Sequence, residues 1–197
     1  MDITSILSYL GDNEMNKIGS QAGIDSDKAK TAMQGAIPAI VTALNGNARS
    51  KVGQENLAKA LEKDHNGGLL EHLSNYLEIP QEKNGKGILK HTFASRRTET
   101  ENILAKKAGI SSQSMSKVME IAAPIVMSYL AKKKSEENLK GDGISSLLSG
   151  LFQSNLNSSG DPSDNGLDVG EIAVMFLGNK EGHKTGIAGI MDAFFGR

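Results

Sequence analysis

The side chains best placed for chemistry in this sequence stand in Ala105–Met119, AKKAGISSQSMSKVM. A helix ending near Ala108, a turn at Gly109 and a second helix capped by Ser111 would project Ser112, Gln113, Ser116 and Lys117 from one helix start, with Lys106 and Lys107 just ahead. Gln pairs with the edge of adenine, Ser with several base edges, and Lys with guanine or phosphate. Lys106, Lys107 and Lys132–Lys134 suit backbone phosphates. Lys106, Lys107, Ser112, Gln113, Ser116 and Lys117 therefore form a candidate nucleic-acid contact. The alternative is a packed helical corner, and two features favour it. The same unit recurs at Ala22–Met33 with Asp25, Asp27 and Lys28 at its helix start, where the carboxylates would repel phosphate. The second helix also runs straight into IAAPIVMSYLA, which has to be buried.

Other chemistry is sparse. Asp161, Ser163, Asn165 and Gly166 fall at positions 1, 3, 5 and 6 of a calcium loop, but position 12 is Ile172 and Glu171 comes one residue early. A polar linker in which Asp168 caps the next helix explains the same residues. His65, His72, His91 and His183 are scattered, with no HxxxH or HExxH spacing, so no metal site is expected. His72 is expected to face solvent beside Glu71. Ser-rich pieces such as SSQSMS lack the Gly-x-Ser-x-Gly elbow, and the glycines at 67–68, 85–87 and 141–143 lack the GK[ST] ending of a phosphate loop. The expectation is a protein that is not an enzyme and carries no cofactor.

Net charge is −1 over 197 residues, which argues against a strong nucleic-acid binder. The charge is unevenly spread: residues 86–140 hold 11 Lys+Arg against 5 Asp+Glu, inside flanks that are mildly acidic. Such a segment either meets an anionic partner or pairs with the acidic flanks of the same molecule. Cysteine is absent, which excludes disulfides, thiolate metal sites and a Cys nucleophile and suits a reducing compartment. The start, MDITSILSYLGDNEM, has no basic n-region, and the apolar run Ile121–Leu130 is too short for a bilayer, which takes about 20 residues. A cytoplasmic protein without a membrane span is expected.

The elements that must position these residues are helical. No Val/Ile/Thr/Tyr-rich alternation occurs, and Ala, Leu, Lys, Met, Glu and Gln fill the segments between Gly and Ser. The fold class is all-α, a multihelical bundle with an internal pseudo-repeat of a helix-turn-helix-like unit. Ile18–Leu44 aligns with Leu104–Leu130 at an offset of 86, pairing Ala22/Ala108, Gly23/Gly109, Ile24/Ile110, Ser26/Ser112, Met33/Met119, Ala36/Ala122, Pro38/Pro124 and Leu44/Leu130. In each copy a glycine takes the left-handed position that closes a helix, and Asp25 or Ser111 caps the next. Ala29, Ala32, Met33, Ala36 and Ile37, and Met115, Val118, Met119 and Ala122, form apolar stripes, with Met33, Met115, Met119 and Met127 as core filler. Pro38 and Pro124 then predict a kink or a break. Turns feeding short amphipathic helices are expected from Asn66, Gly85, Gly141 and Lys184.

The organisation read from this pattern is a helical core over 1–153, a polar linker over 154–170 and a short helical tail over 171–197. In the tail, Ile187, Ile190, Met191, Phe194 and Phe195 make an apolar stripe. It docks back on the core, or else enters another subunit or a partner groove; docking back is favoured because monomers expose few apolar patches.

Together, the doubled Ala-Gly-Ile turn, the helix after it, the Ala-x-Pro-apolar continuation and the later Gly-Ile/Leu helices resemble a bacterial family, domain of unknown function 937, the YidB-like proteins. The likeness covers roughly residues 1–153 and implies an all-helical fold and a bacterial source, but no reaction. Residues 105–119 also resemble the helix-turn-helix of lactose-type repressors, through Ala105, Gly109, Ile110, Ser111, Gln113, Ser116, Lys117 and Val118. The expected role is a structural or protein-interaction module, with a protein partner or self-association. The alternative is a nucleic-acid binder using 105–119.

Overall fold

The run Ile121–Ala131 is buried at every position, and the architecture follows from that. A helix apolar on all sides must be surrounded. In the computed structural model, which describes residues 3–63, 68–79, 82–139 and 142–158, it lies in α8 (Ser112–Glu136). Around α8 pack α1 (Thr4–Leu7), α2 (Asp12–Ala22), α3 (Ser26–Asn47), α4 (Lys51–Lys63), α6 (Glu82–Phe93), α7 (Arg97–Ala108) and α9 (Asp142–Ser158). A 3-10 turn over Gly68–His72 leads into α5 (Leu73–Tyr76), and another over Ala94–Arg96 joins α6 to α7. No strand occurs among the described residues, so the chain is an all-α bundle.

The two long helices, α3 and α8, form the centre. Ala29, Ala32, Met33, Ala36 and Ile37 on α3, and Met115, Val118, Met119 and Ala122 on α8, are fully buried. Methionine at 33, 115, 119 and 127 fills this core. Each long helix is entered through the same kind of corner. Gly23 (φ 71°) and Gly109 (φ 63°) are left-handed, a conformation in which a Cβ would be strained. Behind them Ile24 N–H donates to Gly19 O (2.9 Å) and Ile110 N–H to Ala105 O (3.0 Å), which satisfies carbonyls at the helix end. Asp25 Oδ1 then accepts from Lys28 N–H (2.8 Å) and Ser111 Oγ from Ser114 N–H (3.0 Å), capping the next helix.

Neither proline breaks its helix. Pro38 lies inside α3 and Pro124 inside α8, and both helices continue past them. Proline removes one intrahelical bond and leaves the carbonyl four residues earlier without its donor. Here both prolines are buried inside the packed core, so burial of the surrounding apolar turns outweighs the lost bond. The glycine pair 85 and 87 also departs from the expected turn. Both residues lie within α6, and Gly85 is buried against α8. In the segment read from Asn66, the described part begins with a 3-10 turn over Gly68–His72 rather than an amphipathic α-helix, although Leu70, Leu73 and Leu77 are still buried.

Polar ties fix the outer helices. Lys17 Nζ donates to Ser74 Oγ (2.7 Å) and Glu78 Oε1 (3.0 Å), holding α2 to the segment around α5. Ser145 Oγ donates to Ala48 O (3.2 Å) and Ser149 Oγ to Asn45 Oδ1 (3.3 Å), holding α9 against the end of α3. Helix α9 runs through Ser158, past the core boundary drawn at 153. The remaining linker, the calcium-like loop at Asp161–Glu171 and the tail stripe at Ile187–Phe195 lie outside the described residues, as do His65 and His183. No described helix is long and apolar enough to cross a membrane.

Candidate functional site

The six residues read as a nucleic-acid contact are divided by the packing of α7 on α8. Lys106, Lys107, Ser112 and Gln113 are exposed. Ser112 Oγ donates to Asn102 Oδ1 of α7 (2.6 Å). Ser116 and Lys117 are partly covered. Lys117 Nζ reaches Gln21 O at the end of α2 (3.4 Å), so its ammonium is turned towards another corner of the bundle. Ser116 Oγ accepts from Arg97 (3.0 Å) and donates to Glu101 Oε1 (3.0 Å). The start of α8 therefore faces α7 with two of the residues that a DNA-reading helix would need free.

Ser116 belongs to an ion network that sequence reasoning missed. Arg97 Nε donates to Glu101 Oε1 and its terminal nitrogen to Glu120 Oε1, both at 2.6 Å. Glu101 and Glu120 are buried, so each carboxylate depends on this one guanidinium for compensation. Burial pulls the Arg97 pKa down, but hydrogen bonds to Glu101 and Glu120 outweigh it and the net shift is upward. The spacing of Arg97 and Glu101, four residues apart, is that of a helical ion pair and was the available signal. Glu120 gave none, because its pairing depends on how α7 lies across α8.

The lysines of the basic middle segment also find partners at the surface. Lys134 Nζ pairs with Glu62 (2.6 Å) on α4, and Lys133 Nζ with Glu136 (2.7 Å). Lys132 Nζ sits 5.7 Å from the centre of the Tyr9 ring. Among the described residues no group of three or more His, Cys, Asp or Glu could hold a metal ion. His72 is exposed beside exposed Glu71.

A cleft of about 1180 Å³ opens between α4 and α6. Its floor is Leu44 of α3 and Met127 of α8, and its walls include Leu57 and Ala60 on one side and Ile88 on the other. Val52 stands at the rim with 67% of its surface exposed, which is unusual for a large apolar side chain in this molecule. The polar lining is neutral amide and hydroxyl: Asn47, Ser50, Asn56, Asn84 and Thr92, with His91 the one titratable group of the lining among the described residues. Local chemistry sets its end. Ser50 Oγ accepts from Gly53 N–H (3.0 Å) and so caps α4. Asn47 Nδ2 donates to Thr92 O (3.0 Å), tying the end of α3 to the end of α6. These residues are spread over 44–60, 84–92 and 127, and no local motif marks them.

Fold and site together define an all-helical bundle protein built on two long buried helices, with a cleft on one side lined by apolar side chains together with amides, hydroxyls and His91. Within that class the chain belongs to the bacterial family of unknown function DUF937, whose model matches residues 4–133. No curated protein and no solved structure matches it.

Proposed function

We propose that this protein is a non-enzymatic, cytoplasmic interaction module whose α4–α6 cleft receives an uncharged, apolar helical segment of a protein. The observation that carries this reading is the cleft itself. Its floor and part of its walls are apolar, Val52 is exposed at its rim, and among the described residues its lining holds no Asp, Glu, Lys or Arg. Its volume of about 1180 Å³ exceeds the roughly 300–1,000 Å³ of most small-molecule sites. A cleft walled by two helices suits a helix laid between them. The pairing of α2–α3 with α7–α8 is read as duplication of one packing unit, supported by the matching corners at Gly23 and Gly109. That reading gives segment 105–119 a structural role, and the inward bonds of Ser116 and Lys117 favour it over DNA contact.

The test exploits the absence of cysteine. A Val52→Cys chain carries a single thiol, to which an environment-sensitive dye is attached. Titration with a neutral helical peptide bearing an apolar face should give a saturable blue shift, abolished by Ile88→Asp. A fully polar helical peptide should give none. No shift with either peptide would remove the cleft as an interaction site.

A further inference from the structure

We infer that the α4–α6 cleft is the docking site of this chain's own C-terminal segment, residues 186–195. The inference rests on the cleft reading above and names its occupant.

Four observations carry it. The segment GIAGIMDAFF places Ile187, Ile190, Met191, Phe194 and Phe195 at helical spacing i, i+3, i+4, i+7 and i+8, one continuous apolar stripe. Its one charged residue, Asp192, falls off that stripe. An uncharged apolar face of this kind matches a lining that, among the described residues, holds no Asp, Glu, Lys or Arg and only His91 as a titratable group. Size agrees as well: a helix of ten residues is about 15 Å long, and α4 and α6, of 13 and 12 residues, offer walls of about 18–20 Å.

The third observation is reach. Ser149 lies against Asn45, at the end of α3 that forms the cleft, and Ser158 is nine residues further along α9, about 14 Å away. Between Ser158 and Gly186 stand 27 residues. A flexible tether of that length would span roughly 30 Å, more than the roughly 14 Å between Ser149 and Ser158, so it is long enough to lead back to the cleft. A tether long enough to reach gives an effective concentration approaching the millimolar range, so a modest intrinsic affinity suffices to fill the cleft. The fourth is demand. Two large apolar side chains, Val52 and Ile79, are more than 60% exposed among the described residues, and Val52 stands on the cleft rim. Covering it would remove an unfavourable contact with water.

The function implied is self-occupancy: a protein partner with a similar apolar helix has to displace the tail. Because the natural chain has no cysteine, a full-length Val52→Cys/Met191→Cys double variant reports the contact directly under mild oxidation. A disulfide between 52 and 191 within the monomer, forming at least tenfold faster than in a Lys106→Cys/Met191→Cys control, is expected. Adding Phe194→Asp/Phe195→Asp should return the rate to that of the control while the helical circular dichroism is unchanged. A rate no faster than the control overturns the inference. A disulfide found only in covalent dimers overturns it too, in favour of a second copy as occupant. The dye titration separates the two readings. It is repeated in the Phe194→Asp/Phe195→Asp chain, where the neutral peptide should bind about tenfold more tightly than in the natural tail. Peptide binding that is equal in both chains, with no rapid disulfide, rejects the tail but keeps the cleft. No peptide binding in either rejects the cleft itself.

Discussion

Gly85 of α6 lies against the main-chain carbonyl of Glu120 in α8, so closely that a Cβ at position 85 would overlap its oxygen. That carbonyl is the one Pro124 leaves without a helical donor, since proline four residues on has no N–H. A proline in one helix and a glycine in its neighbour are thus complementary: the first frees a carbonyl, and the second lets a backbone approach it. Contact of a Cα–H with such a carbonyl is weakly favourable. The Glu120 side chain meanwhile accepts from Arg97, so one residue joins α6, α7 and α8.

Gly85→Ala should therefore push α6 off α8. Overpacking of a tight contact costs about 1–3 kcal/mol, and here the clash is with backbone that cannot swing aside. A fall of about 2 kcal/mol or more is expected in urea denaturation. Gly87→Ala is the control, because a Cβ there meets nothing within 4 Å and improves helix propensity. Equal effects at 85 and 87 would refute the close approach.

Arg97→Met should be more damaging than a surface charge deletion. It leaves Glu101 and Glu120 buried without a counter-charge, a situation that costs about 3–5 kcal/mol. Adding Glu101→Gln and Glu120→Gln to the same chain should recover a large part of the loss. Thermal or urea unfolding of the three chains checks this. A triple variant no more stable than Arg97→Met would show that the network acts through packing rather than charge.

Stability should fall in acid. The Asp25 carboxyl is held below its ordinary pKa, chiefly by the Lys28 backbone N–H. Those of Glu62 and Glu136 are held down chiefly by hydrogen bonds from Lys134 and Lys133. A carboxylate with a depressed folded pKa binds fewer protons folded than unfolded, so stability rises with pH through that window. The contribution is complete above the ordinary carboxylate range near pH 4 and is lost as pH drops through the folded values. All three groups are exposed, so the effect is modest and weakens in salt. Urea midpoints between pH 6 and pH 2 should show the decline, and Asp25→Asn, which keeps the cap, should flatten part of it.

Asn47→Ala should loosen the cleft more than the core. Losing the bond to Thr92 O costs about 1 kcal/mol. Amide exchange should accelerate in Ile88–Phe93 of α6 and stay unchanged in Ile121–Leu130 of α8. Uniform acceleration across both would mean that Asn47 supports the whole bundle and not one wall.

Much of this molecule is legible in the residue order because it is decided within a few residues. Gly23 and Gly109 mark helix ends because only glycine takes positive φ without strain. Asp25 and Ser111 mark helix starts because their side chains reach a backbone N–H three residues on. The stripes at Ala29–Ile37 and Met115–Ala122 mark the core because helical periodicity brings them to one face. The family likeness rested on the same doubled pattern, and its model covers both corners.

What the residue order left open was settled by contacts between distant segments. Whether Pro38 and Pro124 break their helices depends on what surrounds them, and burial keeps both helices whole. Whether Ser116 and Lys117 face solvent or protein depends on α7 and α2, which claim them. The cleft needs Leu44, Val52, Ile88 and Met127 together, from four helices, and no property of any one stretch announces it. Backbone geometry and helix faces are local consequences of residue type. The partner a side chain meets is a consequence of packing, which only the folded chain supplies.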